Sequence, residues 1–255
     1  MATALLRLGL WPLATAGFWM LAVSAAPGYA ADCTRPSEIF VFEPTLPLTV
    51  AALSGGKQVN IVAIGSASTE GRAAGGPDYA WPKQLNASLA DEFPKAKISV
   101  VNLGRAGQTS DDMIKRFETE VIPLVPTLVI WETGTVDAVR SVEIGAFRNS
   151  LETGFMRLKA VSEVVVMDVQ FSRRTHAMID FGPYESAIRE VADVNDVPLF
   201  PRNELMRYWS ETGELDYSVQ DKDKRREMAR HLYGCVGRAL AAFVARSPHA
   251  KAIRP

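Results

Sequence analysis

QVNIVAIGSASTEG, residues 58–71, opens a repeating pattern of apolar strands and amphipathic helices. Its first half is almost wholly apolar and rich in β-branched residues, as expected of a strand buried on both faces. Its second half is a turn of glycine and hydroxyl side chains, a common place to mount a nucleophile at the end of a strand. The middle position of that turn is nevertheless Ala67, with Ser66 and Ser68 on either side.

The rest of the chain continues the alternation of strand and helix patterns. Strands are predicted at 58–65, 97–104, 126–134, 162–170 and 197–200, and helices at 79–93, 110–122, 143–161, 183–195, 202–209 and 222–246. Apolar strands separated by amphipathic helices indicate a parallel sheet covered on both faces. The prediction is therefore an α/β fold, a three-layer α/β/α sandwich with a central five-stranded parallel sheet of the flavodoxin-like kind. Ligands of such sheets bind beyond the carboxyl ends of the strands.

The domain limits follow from composition. Residues 58–246 are predicted to form the single folded domain, followed by a tail at 247–255. The segment 31–57 contains several prolines and is predicted to be irregular. The net charge of −1 provides no basic surface field, so that nucleic acid is not an expected partner.

The first 30 residues have the composition of a signal peptide. They contain one charged residue, Arg7, and an apolar run that ends in small residues before Ala31. This pattern predicts cleavage after Ala30 and an exported protein, periplasmic or secreted, that meets the membrane only through its signal peptide. An uncleaved membrane anchor is the alternative, and Pro12 and Pro27 disfavour it.

The chain has two cysteines, Cys33 and Cys235. An even number of cysteines in an exported chain favours a disulfide, here between the start of the mature chain and its last helix. Two unpaired buried thiols are the alternative. The histidines, His176, His231 and His249, are scattered without ligand spacing, so that neither a metal nor another cofactor is expected.

Three segments in order, IVAIGSASTEG, VNLGRAGQTSDDM and LVIWETGTVDAVR, resemble the first three sequence blocks of the SGNH, or GDSL-type, hydrolases. The resemblance extends over residues 58–245. It implies an ester hydrolase fold in which a serine after the first strand attacks and the histidine of an Asp-x-x-His block removes its proton. A backbone N–H of the second block and an asparagine of the third would stabilise the oxyanion.

The residues that such a mechanism needs are substituted in this chain. The nucleophile position is Ala67, and the third-block asparagine is replaced in Gly134-Thr135-Val136. The second-block glycine is retained as Gly107. The Asp-x-x-His block falls on Asp216–Val219 or on Lys224–Glu227, depending on the alignment, and neither segment supplies both residues.

Three functions remain open on this evidence. The leading hypothesis is a protein that has lost the esterase machinery and acts by binding a small molecule, an envelope glycan, an acyl group or a partner protein. The alternative is an esterase, lipase or carbohydrate deacetylase with a non-standard serine, Ser66 or Ser68, paired with His231 and an acid, Asp216 or Asp137. A structural envelope protein without a ligand is a third idea.

The predicted pocket is formed by the loops after the first three strands. Its candidate residues are Ser66, Ala67, Ser68, Gly107, Thr135, Val136 and Asp137. The alternative is that the hydroxyls satisfy backbone groups of a tight turn and that Asp137 caps the element after the third strand. Arg72, Arg105 and Arg140 follow three pocket loops and are either anion ligands or solvated surface residues.

Overall fold

The computed structural model describes residues 33–40, 44–216 and 218–246, together with Met1. The chain divides into two units, Met1–Ala31 and Asp32–Pro255, and every described residue except Met1 belongs to the second. Residues 2–30 of the predicted signal peptide and the tail at 247–255 lie outside the described residues. Within the described part, none of the helices combines the length and apolar character required to cross a membrane.

The central sheet has five parallel strands and confirms the predicted fold. The strands are β1 (Gln58–Ile64), β2 (Lys97–Asn102), β3 (Leu128–Glu132), β4 (Glu163–Met167) and β5 (Leu199–Phe200). Their order is β2-β1-β3-β4-β5, and every neighbouring pair is parallel. The carboxyl ends of all five strands therefore meet at one edge of the sheet.

Helices cover both faces of the sheet. They are α1 (Pro47–Ser54), α2 (Ala67–Glu70), α3 (Trp81–Glu92), α4 (Ser110–Ile114), α5 (Thr135–Val139), α6 (Ile144–Lys159), α7 (Arg173–His176), α8 (Gly182–Val194), α9 (Arg202–Glu211) and α10 (Lys222–Ala245). Apolar residues of α1, α3, α9 and α10 form one buried cluster, and those of α4, α6 and α8 form another. Alternate residues of β1 belong to the two clusters, as expected for a strand between two helical layers.

Two details of the predicted organisation need correction. The segment 31–57 is not irregular throughout, because α1 lies within it and begins at Pro47. Proline suits the first position of a helix, where its missing N–H would have no partner. The helix predicted at 110–122 stops being α-helical after Ile114 and continues as a π-helical turn at Phe117–Val121.

The predicted disulfide between Cys33 and Cys235 is present, with the two Cα atoms 5.6 Å apart. It joins the segment before the domain to α10. The same segment is held by a hydrogen bond from Trp209 Nε1 to the carbonyl oxygen of Thr34, 2.7 Å long, and by the packing of the Phe40 ring against Phe200.

Candidate functional site

The turn after β1 exposes a methyl group at the position that the resemblance assigns to the nucleophile. A Cβ on Gly65 would lie 2.6 Å from Glu132 Oε2, so that only glycine fits at the start of the turn. The helix α2 then begins at Ala67, which is partly exposed, whereas Ser66 and Ser68 are buried. The two hydroxyls are enclosed, and the accessible side chain between them has no reactive atom.

Ser66 forms hydrogen bonds with residues at or after the ends of β3 and β2, the two strands that flank β1. Its N–H donates to Glu132 Oε2 over 3.0 Å, and its Oγ accepts the N–H of Gly107 over 3.1 Å. Gly107 has a φ of 81°, in the left-handed region that glycine tolerates best. The N–H that the resemblance assigns to the oxyanion hole is therefore engaged by the Ser66 hydroxyl.

Ser68 and Thr69 both direct their hydroxyls toward one buried carboxylate. Ser68 Oγ donates to Glu132 Oε2 over 3.0 Å and accepts from Arg202 Nη1 over 2.9 Å. Thr69 Oγ1 donates to the same carboxylate oxygen over 2.7 Å. The donor and acceptor capacity of Ser68 is thus used within the protein interior.

Glu132 and Arg202 form an ion pair in which both side chains are only 2% exposed, with 3.1 Å between Oε1 and Nη2. Burial alone raises the pKa of the Glu132 carboxyl. The Arg202 guanidinium and the hydrogen bonds from Thr69, Ser66 and Ser68 outweigh burial, so that this pKa lies below its ordinary value. A carboxylate stabilised in this way is a weak proton acceptor, and it acts as a structural anchor for the turn.

Sequence reasoning did not identify this ion pair. The available signal was the acid that ends the otherwise apolar strand LVIWE, residues 128–132, because a buried carboxylate requires a cation or several donors. Its partner, Arg202, follows β5 and is 70 residues away in sequence. Only the strand order brings the two residues together.

The residues considered as a substitute triad are not brought together. His231 Nε2 lies 3.8 Å from both Cys33 Sγ and Cys235 Sγ, which places this histidine at the disulfide. Burial, followed by the charge of Arg238, lowers the pKa of His231. Asp216 is exposed, and its Oδ1 accepts from the N–H and the hydroxyl of Ser218.

The third-block residues have structural partners. Asp137 is buried and accepts hydrogen bonds from the N–H and the hydroxyl of Ser110 and from the N–H of Gly134. Burial raises the pKa of Asp137 against the effect of these donors. Thr135 Oγ1 accepts the N–H of Gln170 over 2.9 Å. Asp137 therefore caps the element after β3, the alternative that the sequence left open, while Val136 offers no oxyanion donor.

The three pocket-loop arginines are exposed. Arg105 forms an ion pair with Glu120 at 2.8 Å, and Arg140 lies 3.7 Å from Asp112. These partners are surface carboxylates, and exposed pairs of this kind contribute about 0–1 kcal/mol.

An open cleft lies beside the loops that follow β4. It has a volume of about 480 Å³ and is lined by His176, Ala177, Met178, Ile179, Asp180, Phe181, Gly182, Glu185 and Arg207. His176 Nε2 lies 3.0 Å from the Asn203 amide nitrogen and 3.7 Å from Glu185 Oε1. Its ring stacks on Phe181 with 4.4 Å between the centroids. Arg207 donates to Asn203 Oδ1 over 3.2 Å, so that one amide joins the histidine and the guanidinium on the cleft wall.

Asp168 connects this cleft to the turn after β1. Its backbone oxygen accepts from Arg202 Nη2 over 2.6 Å, and its Oδ1 accepts the N–H of Asn203 over 2.8 Å. A continuous polar path thus runs from Ser68 through Arg202 and Asp168 to Asn203, whose amide contacts His176. Burial raises the pKa of Asp168 from 3.8 to about 7, although the Asn203 N–H and the Arg202 charge oppose the shift.

Asp168→Asn is expected to change how stability depends on pH. The folded protein keeps the Asp168 proton up to about pH 7, whereas the unfolded chain releases it near pH 3.8. The free energy of unfolding therefore decreases as the pH rises between those two values. The asparagine variant has no such loss, and its stability relative to wild type should increase over that range. Urea denaturation at several pH values measures this difference; parallel pH profiles would contradict it.

Solved structures with the same fold include esterases. A two-domain esterase active on acetylated mannans aligns with a TM-score of 0.63 at 16% identity, over 80% of this chain and 55% of its own. LAE5, an α/β hydrolase from the metagenome of Lake Arreo, aligns with a TM-score of 0.57 at 18% identity, over 74% and 96% of the two chains. The acetylxylan esterase Axe2 from Geobacillus stearothermophilus gives 0.56 at 16% identity, over 73% and 94%. This chain spans just over half the length of the two-domain esterase, and these likenesses concern the fold alone.

The amino-acid sequence defines the family more directly. No curated protein sequence matches the chain significantly. The sequence profile of the Non-GDSL lipase-like family, in contrast, matches residues 32–250, which include the whole sheet and all ten helices given above. The chain is an SGNH-type protein that belongs to the Non-GDSL lipase-like family.

Proposed function

We propose that this protein is an exported SGNH-fold protein that binds its ligand and does not cleave esters. The observation that carries the proposal is the turn after β1. Its accessible position is the methyl group of Ala67, and the neighbouring hydroxyls of Ser66 and Ser68 are buried and hydrogen-bonded inside the protein. Removal of the nucleophile or base of a triad costs on the order of 10⁶ in kcat.

Among the residues that the structure describes, none of the hydrogen-bond partners of the two serine hydroxyls is a suitable base. A general base must lie within about 2.6–3.2 Å of the hydroxyl that it deprotonates. The hydrogen bonds given for Ser66 Oγ and Ser68 Oγ, within the described residues, lead to Gly107, Glu132 and Arg202. Glu132 is held in its charged form by Arg202, and the two other groups are donors.

The cleft beside His176 is the binding site that this proposal favours. Its wall carries an imidazole, carboxylates and a guanidinium close together, and such groups pair with hydroxyls as donors and as acceptors. This lining favours a glycan over an acyl chain, because an acyl chain would cover the charged side chains of Glu185 and Arg207 without forming hydrogen bonds to them. Esterases of the same fold include one active on acetylated mannans and an acetylxylan esterase, which makes oligosaccharides the first ligands to test.

Export is supported by the composition of residues 1–30 and by the Cys33–Cys235 disulfide, since disulfides persist in oxidising compartments. Both features agree with a function in the cell envelope or outside the cell.

The absence of esterase activity is tested with p-nitrophenyl acetate as substrate and with a fluorophosphonate that labels activated serines. Wild type is expected to show turnover and labelling no higher than a Ser66→Ala/Ser68→Ala double variant. Ala67→Ser should also remain inactive, because restoring a hydroxyl alone supplies no base. Turnover or labelling that disappears in the double variant would overturn the proposal.

The test of binding uses neutral oligosaccharides, beginning with mannopentaose, in calorimetric titrations. Arg207→Ala, which removes a cleft guanidinium, is expected to weaken binding at least about tenfold, as for the loss of one charged hydrogen bond. Arg148→Ala, which removes a guanidinium that does not line the cleft, is the matched control and should bind like wild type. If both variants bind the oligosaccharide equally well, the cleft is not the binding site.

The alternative function is ester hydrolysis through Ser66. Its Oγ accepts the N–H of Gly107, and no acceptor for its own proton is found among the hydrogen bonds of the described residues. This hydroxyl is therefore the one to examine if the wild-type protein shows turnover, and Ser66→Ala alone would then abolish it.

A further inference from the structure

The side chains around the disulfide have the composition of a metal site. His231 and Cys235 lie one turn apart on α10 and face Cys33 of the N-terminal segment. His231 Nε2 is 3.8 Å from each of the two sulfur atoms, and the three ligand atoms all lie within 4.8 Å of one another. No other group of this kind occurs among the residues that the structure describes.

The distances match the edges of a tetrahedral zinc site. In a tetrahedral site, zinc–sulfur bonds are about 2.3 Å long and zinc–nitrogen bonds about 2.0–2.1 Å long. These bond lengths give a nitrogen–sulfur distance of about 3.6 Å and a sulfur–sulfur distance of about 3.8 Å between ligand atoms. The nitrogen–sulfur distances are 3.8 Å. Only the sulfurs would have to separate after their bond is broken, and the Cα separation of 5.6 Å leaves room for that movement.

The local charges favour the forms that bind a metal. Arg238 Nη2 lies 3.6 Å from Cys235 Sγ, and a neighbouring guanidinium stabilises a thiolate. His231 Nε2 faces both sulfur atoms, and a ring nitrogen in this position can supply a lone pair to a metal. Two thiolates and one guanidinium leave a net negative charge that attracts a divalent cation.

We propose that Cys33, His231 and Cys235 form a zinc site when the disulfide is reduced. A dithiol or a phosphine supplies the two electrons that break the sulfur–sulfur bond, and each sulfur takes up one proton. Both thiols then release their protons as they bind the metal. His231 supplies the third ligand and water the fourth. In the reduced, metal-bound protein, the metal replaces the disulfide bond as the link between the N-terminal segment and α10.

The experiment uses the full chain, reduced with a phosphine that is then removed under inert gas. Titration with Co²⁺ should produce a thiolate-to-cobalt charge-transfer band, which Zn²⁺ abolishes by displacing the cobalt. The oxidised protein should give no band. Reduced His231→Ala should bind at least about tenfold more weakly, since even partners outside the ligand set contribute 10–100-fold to metal affinity. His176→Ala, which removes a histidine outside this group of three residues, is the matched control for cobalt binding.

Circular dichroism distinguishes folding from binding in the same samples. The reduced protein should be folded, or regain its folded spectrum when zinc is added, and it should bind cobalt more tightly than the urea-unfolded chain. The proposal is overturned if reduced wild type binds no better than reduced Cys235→Ser. It is equally overturned if His231→Ala retains wild-type affinity, or if zinc neither binds to the reduced chain nor refolds it.

Discussion

Arg202→Met is expected to lower the free energy of unfolding by about 3–5 kcal/mol, the cost of breaking a buried ion pair on one side. The substitution leaves the Glu132 carboxylate buried without its cation, and Ser68 and Asp168 lose a donor. Urea denaturation measures the change. Arg148→Met is the matched control, because Arg148 pairs with Glu190 at the surface and its loss should cost less than about 1 kcal/mol.

The pH dependence of this variant identifies the cause. In wild type the lowered pKa of Glu132 contributes stability above the ordinary value of 4.5, and this contribution is lost as the pH falls through the folded-state pKa. Without Arg202, burial raises the pKa of Glu132, and acid should reduce the deficit of the variant relative to wild type. If the loss of stability in the variant is independent of pH, it arises from altered packing and not from the unpaired Glu132 charge.

A second substitution measures the coupling between the two charges. Glu132→Gln in the Arg202→Met background removes the unpaired charge, while its amide oxygen can still accept from Ser68 and Thr69. The double variant should therefore be more stable than the sum of the single changes predicts, by roughly 0.5–3 kcal/mol. Additive costs would mean that the two side chains do not depend on each other.

Much of the fold could be predicted because its signals are local. Continuous apolar runs predicted all five strands, and helical periodicity predicted the long helices to within a few residues. The error at α1 arose because prolines were interpreted as breakers throughout 31–57, although Pro47 is at a helix start. The short helix at Thr135–Val139 was missed because a single turn carries no periodicity.

The candidate site was less predictable because its contacts are not local. The positions of Ala67 and Gly107 could be assigned from sequence blocks, but the bond between Ser66 and Gly107 depends on the packing of two loops. From sequence, His231 is a candidate partner of Ser66 or Ser68, whereas its Nε2 lies beside the two sulfur atoms of the disulfide. Its spacing of four residues from Cys235 puts both on one helical face, so that the predicted disulfide already indicated where this histidine would lie.

Removal of the Cys33–Cys235 disulfide is expected to lower the free energy of unfolding by an amount comparable with that of Arg202→Met. The bond joins residues separated by 202 positions, and the chain-entropy model gives about 5 kcal/mol for so long a loop. The expected loss is smaller than this estimate if the unfolded chain retains contacts of the N-terminal segment, because those contacts already restrict the loop. Cys33→Ser, measured by urea denaturation without reductant, should therefore lose roughly 2–5 kcal/mol.

A comparison of three variants separates the cross-link from the packing of the sulfur atoms. Cys235 is buried and Cys33 is only partly so, so that a packing effect would make Cys235→Ser much more costly than Cys33→Ser. If the cross-link dominates, both single variants and the double variant should be about equally unstable, because each breaks the same bond. The segment is then held against the domain by its non-covalent contacts, which include the Trp209–Thr34 and Thr34–Glu214 hydrogen bonds and the Phe40 packing. Wild-type stability in the double variant would show that these contacts suffice and that the disulfide contributes little to the folded domain.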